Sequence, residues 1–156
     1  MAANAALHSD PSDSVAIERL TAFCREELGA TRAYEKALAL SALRPYAEVL
    51  RRCHASHRRC AVELGDRLAA LGVRAPSAPG MWGSLVPMLS LTSNAMTARQ
   101  AIILLDESEG RALQHYREEA SRLDPINRGF MLERILPAQN AAHVALGLLR
   151  VETQPR

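Results

Sequence analysis

The sequence predicts an all-α protein, a four-helix bundle of two helical hairpins joined by one long crossover. Three observations lead there. Apolar residues recur every three to four positions through four stretches, 14–43, 45–71, 97–123 and 124–150. Capping signals fall between these stretches, and Pro137 is the one proline in the interior of any of them. No alternating run competes for strand, and aromatic residues make up only 4% of the 156.

Each element can be justified in turn. Residues 1–13 are small, polar and interrupted by Pro11, and read as a tail. The first helix presents Ile17, Leu20, Cys24, Glu27, Thr31, Tyr34, Leu38 and Ser41 on one face. Pro45 suits the first turn of the second helix, where its missing N–H costs nothing. That helix carries Leu50, Cys53, His57, Cys60, Leu64, Leu68 and Leu71, and Gly72 ends it. Prolines and glycines in 73–96 forbid a continuous helix, making this the crossover. Thr97 with Gln100 forms a capping box for the third helix, whose stripe is Ile102, Leu105, Glu109, Ala112, Tyr116, Ala120 and Leu123. Asp124-Pro125 is an N-cap and first-turn pair opening the fourth. Its inner line is expected along Phe130, Glu133, Leu136, Gln139, His143, Leu146 and Arg150, with a kink at Pro137. The bundle thus spans 14–151, followed by a tail at 152–156.

Composition narrows the function classes. No apolar run reaches the ~18 residues of a transmembrane helix, so no membrane role is expected. The first ten residues lack a basic region followed by an apolar one, so no secretory signal is read. Three cysteines are too few for a disulfide framework, which points to reduced thiols and a cytoplasmic setting. Net charge is +2, too small an excess to draw in a nucleic-acid backbone at long range. The segment Arg51–Cys60 is nonetheless rich in arginine. On a helix Arg51, Arg52, Arg58 and Arg59 spread over the solvent side, so a solvated basic face is the simple reading and a nucleic-acid or partner adaptor its rival. No phosphate loop, nucleophile elbow or Cys-x-x-Cys pair is present, and no small-molecule substrate suggests itself.

The two halves repeat one another. Eighty-two positions separate Glu27 from Glu109 and Tyr34 from Tyr116, and 86 separate His57 from His143. Reflecting each hairpin about its turn sets Glu27 opposite Cys60 and within a turn of His57, and Glu109 opposite Asn140 and within a turn of His143. Glu27, His57, Glu109 and His143 are therefore expected in one layer of the core. A buried carboxylate needs a partner. The available solutions are a carboxylate–imidazolium pair, a raised carboxyl pKa, tyrosine hydrogen bonds or a metal.

At these residues the chain resembles the ferritin-like superfamily, in which a glutamate on the first and third helices meets Glu-x-x-His on the second and fourth. The resemblance rests on E-L-G-A-T-R-A-Y from Glu27, P-G-M-W-G-S-L from Pro79, E-G-R-A-L-Q-H-Y from Glu109 and L-P-A-Q-N-A-A-H from Leu136. Within the superfamily the chain is similar to an uncharacterised bacterial group of four-helix bundles, a domain of unknown function. The resemblance implies metal ligands at Glu27, His57, Glu109 and His143, with His54 as a further candidate and Tyr34, Tyr116, Gln139 and Asn140 as polar neighbours. His54 and Asn140 stand where the Glu-x-x-His glutamates belong. Losing both bridging carboxylates argues against ferroxidase chemistry. It points to a degenerate site in a non-catalytic structural or stress-associated binding module. The alternative is a metalloprotein or metal-dependent oxidoreductase holding iron, zinc or manganese on this Glu2His2 set. Cys24, Cys53 and Cys60 read most simply as small buried core residues. The apolar crossover residues Met81, Trp82, Leu85, Val86, Met88, Leu89 and Leu91 suggest a homodimer contact at Trp82.

Overall fold

Two apolar clusters, one at each end of the helices, set the direction of every element in this computed structural model, which describes residues 11–80 and 95–155. The elements are α1 (Pro11–Ala39), a 3-10 turn (Ser41–Tyr46), α2 (Ala47–Ala70), α3 (Ala98–Ala120), α4 (Pro125–Phe130), a π-helical turn (Met131–Ile135) and α5 (Leu136–Glu152). One cluster joins Leu20, Phe23 and Cys24 of α1 to Leu64 and Leu68 of α2, Tyr116 and Ala120 of α3, and Met131. The other joins Tyr34 and Ala37 to Leu50, Ile102, Leu105, Leu146 and Leu149. α1 and α5 therefore run one way, and α2 and α3 the other. The end of α2 and the start of α3 thus lie at opposite ends of the helices. Among the described residues every regular element is helical, and no helix is long and apolar enough to cross a membrane.

The helix ends follow their local chemistry. Thr97 Oγ1 accepts from Gln100 N at 3.2 Å while Gln100 Oε1 accepts from Thr97 N at 2.9 Å, closing the expected capping box. Gly72 adopts φ +77°. Val73 N then bonds Leu68 O at 3.0 Å and Gly72 N bonds Ala69 O at 2.9 Å, a Schellman ending that a left-handed glycine permits. Gly80 N continues by bonding Arg25 O at 2.7 Å, so the outgoing strap lies against α1. Asp124 Oδ1 accepts from Ile126 N at 3.0 Å and Asn127 N at 3.1 Å, and Asn127 Nδ2 donates to Asp124 Oδ2 at 2.6 Å. Arg67 Nε donates to Asn127 Oδ1 at 2.7 Å, tying the end of α2 to this cap. Asp124→Ala is expected to lower stability by about 1–2 kcal/mol, read from the urea midpoint at unchanged slope.

Three expectations need correction. Pro45 lies inside the 3-10 turn rather than opening α2, because that turn supplies the reversal between α1 and α2. The fourth stretch is not one α-helix. Leu136 N bonds Met131 O, an i→i−5 pattern immediately before Pro137, whose ring cannot donate to Glu133 O and crowds it. The wide turn inserts a residue, so the buried side steps by fours through Met131, Ile135 and Gln139 before Ala142, Leu146 and Leu149. The inner line expected through Phe130, Glu133, Leu136 and His143 is displaced accordingly: Glu133 is exposed, and Phe130, Leu136 and His143 are half-buried. The crossover residues from Met81 to Leu91, with the dimer contact expected at Trp82, lie outside the described residues.

Candidate functional site

Between the two apolar clusters lies a polar layer to which every long helix contributes. Glu27 and Tyr34 come from α1, His57 from α2, Glu109 and Tyr116 from α3, and Gln139 from α5; each is at most 2% exposed. All of them sit on the helical stripes that the sequence displays, so the same 3.6-residue period that buries leucine buries them.

His57 is the centre of the layer. Its Nδ1 is 2.8 Å from Glu27 Oε2 and its Nε2 is 2.9 Å from Glu109 Oε1, so both ring nitrogens face a carboxylate. Tyr34 donates to Glu109 Oε1 at 2.6 Å, and its ring stacks on the imidazole at 5.2 Å. Tyr116 donates to Glu27 Oε1 at 2.7 Å, and Gln139 Nε2 donates to the same oxygen at 2.8 Å. The arrangement has an approximate internal symmetry: the tyrosine of each half binds the glutamate of the other, and one histidine serves both.

The electrostatics follow from this geometry. Burial pushes the His57 imidazolium toward losing its proton, but Glu109 and Glu27 outweigh that effect and raise its pKa to about 10. His57 is therefore a cation at neutral pH, donating from both nitrogens. Burial and the adjacent carboxylates push the phenols of Tyr34 and Tyr116 well above their ordinary value, keeping them as O–H donors. Glu26, next to the layer on α1, has its carboxyl raised to about 7 by burial and then by the charge of Glu27. Burial, followed by neighbouring carboxylates, raises the thiols of Cys24 and Cys53 to about 11 and that of Cys60 to about 12. All three are free, buried and protonated, as small core residues rather than thiolate ligands.

The structure brings together Glu27, His57 and Glu109 and supports them with Tyr34, Tyr116 and Gln139. It separates the other candidates. His143, expected beside Glu109, instead directs Nδ1 to Asp106 Oδ1 at 3.4 Å, while Arg150 Nη1 holds Asp106 Oδ2 at 2.9 Å. Beyond the π-helical turn, Gln139, Ala142 and Leu146 take the inner positions, which turns His143 toward α3. His54 is on the flank of α2, 3.4 Å from Glu35 Oε1. Asn140 is exposed and accepts from Arg117 at 3.3 Å. Arg51, Arg52, Arg58 and Arg59 are exposed on the outer side of α2.

Sequence reasoning passed over Asp106, a buried carboxylate beside the layer. The nearest signal, Gly110 interrupting a helical stretch, marks the close approach of His143, the neighbour of Asp106, rather than Asp106 itself. A Cβ on Gly110 would stand 3.2 Å from His143 Cε1, so the missing side chain makes room for the imidazole.

The donor set fits a resident metal poorly. Both nitrogens of His57 face carboxylates, and both oxygens of Glu27 are engaged in hydrogen bonds. Only Glu109 Oε2 is buried without a hydrogen-bond partner in the layer. Among the described residues, no group of three or more His, Cys, Asp or Glu is arranged to hold a metal ion. Nor do the residues lining the grooves between α1 and α2 and between α2 and α5 include any of the six layer residues.

Comparison with known protein families, curated proteins and solved structures gives no significant match to this chain.

Proposed function

We propose that this chain is a ferritin-like four-helix bundle of the non-catalytic kind, a structural or binding module in which the proton on His57 takes the place of a metal cation. One observation carries the reading: a single imidazole spans Glu27 and Glu109 with both nitrogens at 2.8–2.9 Å. Two carboxylates that would otherwise repel each other in a low-dielectric core are held by one positive charge. The tyrosine hydroxyls and the Gln139 amide complete most of the remaining hydrogen-bonding capacity. The up-down-down-up course of the helices, with one long crossover, supports the ferritin-like assignment.

A divalent-metal site is the second reading, and Glu109 Oε2 is the observation in its favour, since a fully buried carboxylate oxygen without a hydrogen bond requires an explanation. Elemental analysis of protein purified without chelators separates the two. Well under one equivalent of iron, zinc or manganese is expected. Stoichiometric metal that disappears in a Glu27→Ala, Glu109→Ala double variant would replace the imidazolium reading with the metal one.

A further inference from the structure

α5 is apolar on two sides. Its inner side, through Ala142, Leu146 and Leu149, belongs to the core. Its outer side carries Ala141, exposed, followed by Val144, Leu148 and Val151, which are 53%, 67% and 64% exposed. These four positions are spaced by three, four and three, a single helical stripe. Residues 136–149 contain no Asp, Glu, Lys or Arg. A solvated helix face is ordinarily charged, and a continuous apolar one marks a contact. Beside the stripe, between α2 and α5, runs a groove of about 760 Å³ with Ala142, Ala145 and Leu149 along it and Arg52, Arg59 and Glu152 on its rim.

We propose that this stripe and groove form a two-fold interface with a second copy of the chain, α5 of each copy lying antiparallel in the groove of the other. Charge selects this occupant. α2 and α5 run in opposite directions, and Arg134 meets Glu63 at 3.0 Å, which sets the level of one helix against the other. One turn further along, Arg59 stands level with Ala138, whereas Glu152 lies at the opposite end of the groove. A two-fold axis near Ala145 exchanges those ends, so Glu152 of the second copy arrives at the level of Arg59, and the reciprocal contact forms by symmetry. Arg59 is available for it: the side chain is 62% exposed, 4.0 Å from Glu63 and 3.3 Å from Ser56 Oγ. Ala141 and Ala145 are small enough for the two copies of α5 to close to the ~8–10 Å of packed helices.

The test is light scattering of the full chain across a dilution series. A dimer is expected whose dissociation constant rises more than about a hundredfold in Leu148→Glu, since that substitution buries a charge at the contact without touching the core. Circular dichroism of the variant should match that of the parent. Glu152→Arg should weaken the dimer by about tenfold, and adding Arg59→Glu should recover most of the loss. A monomer at every concentration, including one that instead binds an unrelated protein through this face, overturns the proposal. So does a dimer indifferent to Leu148→Glu, as a contact through Trp82 would be. A Glu152→Arg defect that Arg59→Glu does not repair overturns the antiparallel register.

Discussion

His57→Leu is expected to bring the protein to the edge of unfolding. Glu27 and Glu109 are at most 1% exposed, and each has His57 as its charge partner. Removing one member of a buried ion pair costs about 3–5 kcal/mol, because the abandoned charge stays in the core. Here one substitution abandons two carboxylates, against a total stability of about 5–15 kcal/mol for a typical domain. The loss should be reversible by chemistry rather than volume. Adding Glu27→Gln and Glu109→Gln to His57→Leu removes both stranded charges and should recover a large part of the stability, although Tyr34 and Tyr116 then donate to amides instead of carboxylates. Urea unfolding of the parent, single and triple variants checks this. A His57→Leu protein within about 1 kcal/mol of the parent would show that the imidazole carries no charge in the fold.

The second large effect is on pH. The folded pKa of His57 is raised to about 10, above the unfolded value of about 6.5, so the folded state binds the extra proton. Its contribution is full below about pH 6.5, declines as pH rises, and is gone above about 10. With one more proton bound in the folded state, stability should fall by about 1.4 kcal/mol per pH unit within that window. The buried thiols and phenols add to the loss at more alkaline pH, since their raised values also favour the protonated, folded form. Glu26, raised to about 7, acts with the same sign but mostly at lower pH. Between about pH 7 and 8 His57 is the largest contributor, because the three thiols, whose ordinary value is 9.0, join the loss only above about pH 8. Urea midpoints across that interval should decline steadily, and imidazole nitrogen NMR shifts should report a protonated ring throughout. A flat stability with a neutral ring would remove the imidazolium from the core.

Much of this molecule is legible in the sequence, for a physical reason: the period of a helix and the chemistry of its ends are local properties. Thr97 with Gln100, Asp124 with Pro125, and Gly72 each act within a few residues, and each does in the structure what its type requires. The inner stripes of α2 and α3 were readable for the same reason, and with them the burial of His57, Glu109 and Tyr116. The repeat Glu27–Tyr34 and Glu109–Tyr116 showed that two carboxylates and two phenols would face one core.

Pairing was decided only when the helices packed. Sequence spacing matched each glutamate with the histidine of its own hairpin, because reflection about a turn relates only the two helices that the turn joins. In the folded protein His57 reaches across to Glu109 as well as to Glu27, and each tyrosine crosses to the glutamate of the other half. The π-helical turn before Pro137 added one residue to the fourth stretch, so Gln139 kept its expected inward place while Asn140 and His143 turned away from the layer. A shift of one residue is about 100° on a helix, enough to exchange an inward ligand for a half-exposed partner of Asp106. The sequence by itself determined the helices, their caps and the burial of a charged layer. The tertiary structure decided which charges share a proton, since that depends on distances between helices that no local pattern encodes.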